Sequence, residues 1–251
     1  MIYPILAYGA YLEPAARKPR VYLHRYNEAK AKILSDIEVM FEQIHTMENY
    51  FLSEKVICAR LEPDLDLKHS AALITSIYAH MKCLGWKTYS CTTIDGNQSA
   101  RLYFIRTTDQ GIEDLRKTLI SGEKDSDADW KKHISSFHSL DFLTPEERII
   151  RMSEKWKSGI VKMHLHPMGK DSENALNLLY ELSGISKSQT KIFRCHNGSI
   201  VIRAKCTRDD IERIKLLNSL RSVHFMQNAL EDLSDGIEIT GEILKGVLSC
   251  L

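Results

Sequence analysis

The sequence predicts an α+β fold in which two similar units follow a long N-terminal helix. Three observations support this prediction. Residues 160–166 alternate apolar and polar side chains, as a half-buried strand does. Asn197 and Gly198 separate two further strand-like runs, which is the strongest short-range signal of a hairpin. The order β-α-β-β-α-β occurs twice along the chain, and that order is the ferredoxin-like plan.

Residues 1–54 are predicted to form a leader and the long helix. The first 26 residues have no clean period and mix tyrosines with Lys, Arg and His. This composition suits either an arm that binds nucleic acid or a partner, or a leader that lies across the folded body. From Asn27, the predicted cap, to about Phe51, apolar residues at helical spacing predict a helix that packs on the body or on another chain.

Residues 55–143 are predicted to form the first unit. The elements expected in it are a strand over 55–64, a helix over 69–84, strands over 85–94 and 99–108, a helix over 110–121 capped by Asp109, and a strand over 134–143. A polar insertion precedes the last strand, so we expect a loop there.

The second unit is predicted over residues 159–227, after a helical connector over 144–158. Its expected elements are a strand over 160–166, a helix over 173–185 capped by Asp171 or Ser172 and stopped by Gly184, two strands within 191–206, a helix over 208–220 capped by Thr207, and a strand over 222–227. Residues 228–251 are predicted to be a C-terminal tail, with a glycine every five residues and apolar side chains between them.

Composition limits the classes of function. The 251 residues carry 34 basic and 33 acidic side chains, and a net charge of +1 makes a nucleic-acid partner unexpected. The N-terminus lacks a basic n-region and no run is long enough to span a membrane, so we expect a cytoplasmic protein without a membrane contact. The six cysteines form no CxxC pair and are expected to be reduced, although a disulfide between Cys195 and Cys206 is geometrically possible.

The sequence contains no motif of known catalytic chemistry: GxSxG, P-loop, GxGxxG and HExxH are all absent. His164 and His166 are two residues apart on a predicted strand and could hold a metal with His196, but a site needs three or four convergent donors. The alternative is a pair of histidines on a solvent-facing sheet. We therefore predict no catalytic residue, no cofactor and no metal. An enzyme of unrecognised type that uses His164 and His166 stays a third possibility.

Two binding functions are compatible with tandem units of this kind. Tyr103 and Phe104 resemble the aromatic strand of RNA-recognition sheets, although the matching strand of the second unit has no aromatic residue. Small-molecule regulatory domains also occur as tandem ferredoxin-like units. A cavity between the units, or a basic and aromatic sheet face, would favour such a regulator of ligand- or RNA-binding type.

Several segments occur in an order that resembles a known family. These are PILAYGAYLEPAARKPR, the LEPD strand, RLYFIRTTDQGIEDL, LTPEERI, KMHLHP and CHNGSIVIRAKCTRDDIERI. The chain resembles, over about residues 3–230, the region that precedes the protease domain in bacterial subtilisin-like serine proteases, some of which are paired with AAA ATPases in phage-defence operons. The Asp, His and Ser contexts of the protease triad are missing, so the resemblance implies no catalysis.

The resemblance implies a role as a propeptide-like module that inhibits a subtilisin-like protease or assists its folding. Such modules dock an open sheet face on the protease and place their tail in its substrate cleft. The implied contact residues are Phe225, Met226 and Gln227, where the tail begins, and Ile237 and Ile239 within it. The implied partners are a protease catalytic domain and, in a defence system, an AAA ATPase. The oligomeric state is not predicted.

Overall fold

A computed structural model describes residues 25–62, 81–93, 96–150 and 152–226. The fold is α+β, with two sheets and helices packed on each of them. The helices are α1 (Tyr26–Thr46), α2 (Asp109–Ser121), α3 (Ala128–Ser135), α4 (Pro145–Arg148), α5 (Ser172–Ser183) and α6 (Arg208–Ile214). The strands are β1 (Glu54–Leu61), β2 (Lys82–Thr93), β3 (Gly96–Thr108), β4 (Phe137–Asp141), β5 (Ile149–Ile150), β6 (Ser158–Leu165), β7 (Thr190–Arg194), β8 (Ile200–Thr207) and β9 (Leu220–Phe225).

The first sheet is antiparallel, with the strand order β2-β3-β1-β4. One of its faces packs against α1, α2 and α3 in a core that includes Ile37, Ile57, Tyr103 and Ile112, each at most 2% exposed. The apolar stripe of α1 therefore packs on its own chain, because its buried residues belong to this core.

The second sheet has the order β5-β9-β6-β8-β7. β6, β7, β8 and β9 are antiparallel to their neighbours, while the two-residue strand β5 runs parallel to β9 at one edge. α5 and α6 cover one face, where Met163, Leu179, Ile202 and Ile211 are fully buried. The opposite face has no helix among the described residues.

Local signals mark several helix ends correctly. Thr144 with Glu147 and Thr207 with Asp210 form capping boxes at the starts of α4 and α6, as acidic first turns after a threonine suggest. Gly184 ends α5 in the left-handed conformation with φ +72°, which an L side chain rarely adopts. α2 differs, because Thr108 and not Asp109 supplies its cap.

Other predicted boundaries are wrong, and each has a structural reason. The helix predicted over 69–84 lies mostly outside the described residues, but Lys82–Thr93 is a strand, since it pairs along its length with β3. The predicted loop before β4 contains α3, whose Trp130 and Ile134 are buried in the first core. The connector is helical only over Pro145–Arg148, because residues 149–150 pair with β9 instead.

Four further boundaries also shift. The N-terminal helix ends at Thr46 and is followed by a single 3₁₀ turn, rather than continuing to Phe51. β1 ends at Leu61 and β9 at Phe225, each shorter than predicted at its C-terminal end. α6 ends at Ile214, six residues before the predicted Leu220, because the residues that follow contact the first unit.

The two units are joined by a buried interface. The second face of the first sheet carries Val56, Cys58, Leu102 and Phe104 into the same core as the second sheet and its helices. Both faces of the first sheet are therefore covered, whereas no helix in the described ranges covers the second face of the second sheet. The carboxylate of Asp171 does not cap α5; it accepts hydrogen bonds from the Ser53 hydroxyl (2.5 Å) and the Glu54 N–H (2.9 Å) across this interface.

The described cysteines are free thiols: Cys58 and Cys206 are buried, Cys83 is half-buried and Cys195 is exposed. The disulfide between Cys195 and Cys206 is therefore not formed. No helix in the described ranges is both long enough and apolar enough to cross a bilayer.

Candidate ligand-binding surface

The side of the second sheet that no helix in the described ranges covers is called here the open face, and it carries several polar and basic side chains. Neighbouring residues on a strand point to opposite sides, so every second residue of β6, β8 and β9 points away from α5 and α6. The open face consists of Ile150, Ile160, Lys162, His164, Lys191, Phe193, Val201, Arg203, Lys205, Ser222 and His224.

A row of basic side chains crosses the open face from one strand to the next. Lys191 is paired with Arg203, Arg203 with Lys162, and Lys162 with His224. Adjacent strands lie about 4.8 Å apart, so the row extends over roughly 15 Å. Lys205 lies on the same face, two residues after Arg203. Its side chain is exposed, as are those of Lys162, Lys191 and Arg203. Four fixed positive charges are thus concentrated on one sheet surface.

The open face has no acidic counterpart in its own sheet. None of the five strands contains Asp or Glu. Lys162, Lys191, Arg203 and Lys205 form no ion pair with any residue in the described ranges. Adjacent like charges repel one another. A bound anion reduces this repulsion and therefore stabilises a surface of this kind.

Three rings lie among these charges. Phe193 is 55% exposed on the edge strand β7, and the rings of His164 and His224 lie 5.1 Å apart between their centroids. Burial and the neighbouring charge of Lys162 lower the pKa of His164 to about 4, and the same two causes lower the pKa of His224. His164 is therefore neutral at pH 7 and presents an uncharged ring, which a planar group can stack on.

The structure does not bring together the histidines of the possible metal site. His164 lies on the open face, whereas His166 follows the end of β6 and is 2% exposed beside Phe104, with ring centroids 4.7 Å apart. His196 is exposed in the β7–β8 loop. In the part of the chain that the structure describes, no three His, Cys, Asp or Glu side chains are arranged to hold a metal ion.

The aromatic strand that resembles an RNA-recognition motif is not available to a ligand. Tyr103 and Phe104 are 0% and 1% exposed, because both faces of the first sheet are covered. Any recognition of bases by these two residues is thus excluded in this conformation, and the aromatic contact on the open face comes from Phe193 instead.

Of the residues implied by the protease resemblance, two lie in the described ranges. Phe225 packs edge-to-face on Trp156 with centroids 4.6 Å apart and is half-buried. Met226 is 45% exposed, and its N–H still donates to the carbonyl of Ile160 at 3.1 Å. Gln227, Ile237 and Ile239 lie outside the described residues.

A cleft of about 450 Å³ separates the start of β2 from the segment that precedes α5. Its most prominent cation, Arg106, is already engaged, since it pairs with Glu54 at 3.3 Å and donates to the carbonyl of Pro167 at 2.9 Å. The cleft is thus a weaker candidate for ligand binding than the open face, where the cations form no ion pair with any described residue.

No protein-family model matches the chain, and no curated protein is significantly similar to it. Sequence reasoning missed the basic row on the open face because it considered the net charge of the whole chain. The signal was nevertheless present: Lys162 and Arg203 stand at alternate positions of strand-like runs that contain no acidic residue.

Proposed function

We propose that the chain is a non-catalytic binding protein made of two ferredoxin-like units, and that the open face of the second unit binds single-stranded nucleic acid. The fold part of this proposal is supported by the strand orders. In each sheet the unit's first strand lies between its third and fourth, and its second strand lies at an edge.

The proposal of nucleic-acid binding depends chiefly on one observation. A basic row runs from Lys191 to His224 on a sheet whose strands contain no Asp or Glu. Proteins that bind single strands combine cations that follow the phosphates with rings on which bases stack. The open face has both cations and rings. Phe193 and the neutral ring of His164 lie two residues along their strands from Lys191 and Lys162. The near-neutral net charge does not describe this face, because none of its five strands contains Asp or Glu.

Removal of three charges from the row should abolish most of the binding. We expect the variant Lys162→Gln, Lys191→Gln, Arg203→Gln to bind a fluorescein-labelled oligouridine of about 12 nucleotides at least tenfold more weakly than wild type. The slope of log K against log salt concentration should become shallower by roughly 2, since each phosphate contact to a single strand contributes about 0.7 to this slope. Fluorescence anisotropy at several salt concentrations measures both quantities.

The matched control removes the same number of charges elsewhere. Lys32, Lys117 and Lys170 are exposed and lie off the open face, so their triple replacement by Gln should leave the affinity for oligouridine unchanged. Phe193→Ala should weaken binding about fivefold or more by loss of stacking. Equal losses in the two triple variants would show a non-specific charge effect and would contradict the proposal.

A second candidate function, regulation of a subtilisin-like protease with or without an associated AAA ATPase, is favoured by a different observation. Met226 is exposed at the end of β9, so the chain leaves the second sheet with an apolar side chain in solvent and continues into an apolar tail. In this proposal the open face contacts the protease and the residues from Met226 onward, including Gln227, Ile237 and Ile239, enter its substrate cleft.

A truncation separates the second candidate from the first. The full chain should inhibit a purified subtilisin-like protease that is acting on a chromogenic peptide, and a chain that ends at Met226 should inhibit at least tenfold more weakly. The truncated chain should still bind oligouridine if the first candidate is right. Absence of inhibition by the full chain at micromolar concentration would exclude the protease function for the enzyme tested.

A further inference from the structure

The interface between the two units contains a cluster of charged side chains on the inward face of the first sheet. It is called here the interface cluster. Its members are Arg60, Lys87, Asp141, Glu147, Arg148 and Arg221. They come from β1, β2 and β4 of the first unit, from α4, and from β9 of the second unit.

Arg60 hydrogen-bonds to both carboxylates of the interface cluster, although Asp141 Oδ1 is buried without a partner among the described residues. Its Nε donates to Asp141 Oδ2 at 2.7 Å, and its two terminal nitrogens donate to the two oxygens of Glu147 at 2.8 Å each. One arginine is therefore matched by two acids, in the bidentate geometry that this side chain favours. The other three cations have no carboxylate of their own within the cluster.

Two of these cations lie around the ring of Phe104. Lys87 Nζ is 5.9 Å from the ring centroid and Arg221 Cζ is 5.2 Å from it. Neither side chain forms an ion pair with a residue in the described ranges. Contact with one aromatic face compensates a cation only partly, and the two positive groups still repel each other across the same ring.

The third cation, Arg148, is 3% exposed. Its Nη1 donates to the carbonyl of Lys215 at 2.7 Å, but its Nε is buried without a hydrogen-bond partner. The nearby Glu146 is itself paired with Lys215 at 3.6 Å. A buried guanidinium with an unused donor is costly, and a ligand oxygen would satisfy it.

The surrounding groups are affected by this excess of positive charge. Burial, together with the charges of Arg221, Arg148 and Lys87, lowers the pKa of His166 well below its usual value, so this histidine is neutral. Burial also lowers the pKa of Lys87, and it lowers that of Arg148 to about 10.

We propose that the interface between the units binds a small multivalent anion of the phosphate class, held beside Phe104 by Lys87 and Arg221. Phosphate oxygens accept charge-assisted hydrogen bonds from both side chains at once. Because Lys87 belongs to β2 and Arg221 to β9, such an anion would link the first unit to the second. The same chemistry fits free phosphate and the phosphate group of a nucleotide.

The test uses thermal unfolding and calorimetry of the full chain with inorganic phosphate or AMP, with sodium chloride at matched ionic strength as the reference. Phosphate or AMP should raise the unfolding midpoint of wild type above the chloride value. Lys87→Gln and Arg221→Gln should each bind the anion at least tenfold more weakly. A response to AMP alone would identify a nucleotide as the source, and an equal response to phosphate would identify the free anion.

The controls separate a lost site from a damaged fold. Lys117→Gln removes an exposed lysine from α2 and should keep the full response. Without any anion, Lys87→Gln should unfold close to the wild-type midpoint, because it removes an attraction to Glu147 as well as the repulsion from Arg60 and Arg221. Lys87→Gln should also bind oligouridine as wild type does, since Lys87 lies off the open face. A midpoint no higher in phosphate and AMP than in chloride, or unchanged affinity in both variants, would overturn the proposal.

Discussion

Replacement of Arg60 by methionine is expected to lower the free energy of unfolding by about 3–5 kcal/mol. The Arg60 side chain is 12% exposed and is the hydrogen-bonding partner of both Asp141 and Glu147. Methionine keeps much of the volume but leaves two carboxylates near a buried interface without their counter-charge. Urea unfolding of the variant and of wild type measures the difference.

The effect of Arg60→Met should depend on pH. Burial raises the pKa of Glu147, but hydrogen bonds from Arg60 and from the Thr144 N–H outweigh it and lower that pKa from 4.5 to about 2. A carboxyl group whose pKa is lower in the folded state stabilises the fold above its unfolded pKa, and this contribution is lost as pH falls towards the folded pKa. The difference between wild type and variant should therefore shrink between pH 4.5 and pH 2.

An exposed arginine provides the comparison for Arg60. Arg194 pairs with Glu173 at 2.6 Å, but both side chains are more than half exposed, so Arg194→Met should cost less than about 1 kcal/mol. If Arg60→Met costs no more than Arg194→Met, the interface cluster does not stabilise the fold as argued here. A cost that is the same at pH 7 and at pH 2 would contradict the role of the two carboxylates.

Replacement of Asn218 by alanine is expected to cost about 3 kcal/mol, because it leaves two buried backbone groups unpaired. β4 pairs with β1 only from Cys58 onward, so Val56 extends past the end of β4. There the side chain of Asn218 accepts a hydrogen bond from the Val56 N–H at 2.8 Å and donates to its carbonyl at 2.9 Å. Asn218 is 3% exposed, so water does not easily replace it.

The control for Asn218→Ala is an asparagine with an exposed side chain. Asn177 on α5 accepts a hydrogen bond from Lys187 at 3.0 Å in solvent, and Asn177→Ala should change the free energy of unfolding by no more than about 0.5 kcal/mol. Hydrogen exchange of the Val56 amide gives a local measurement, and its protection should fall in Asn218→Ala and stay unchanged in Asn177→Ala. Equal unfolding free energies for the two variants would show that the contact with Val56 contributes little.

Asn218 also explains why sequence reasoning extended α6 too far. The apolar spacing of Ile211, Ile214 and Leu217 suits a helix up to Leu220. The chain instead turns after Ile214, which allows the Asn218 side chain to reach Val56 and its N–H to reach the carbonyl of Tyr50 at 3.0 Å. These contacts join residues more than 150 positions apart, so no local pattern contains them.

The order of strands and helices from β6 to β9 could be predicted from the sequence because its signals are local. The capping threonines Thr144 and Thr207, the stop at Gly184 and the turn at Gly198 (φ +83°) each act through backbone groups a few residues away. Alternation along β6 and β8 likewise marks which side chains lie on one face of a strand.

What covers each face was decided only by the tertiary structure. The sequence assigns Phe104 to a strand, but not the fact that the second unit covers it. The basic row has the same origin, since the register of two strand pairs places Lys191, Arg203 and Lys162 side by side. Local free energies select the elements, whereas burial of apolar surface between distant segments selects which residues remain available to a ligand.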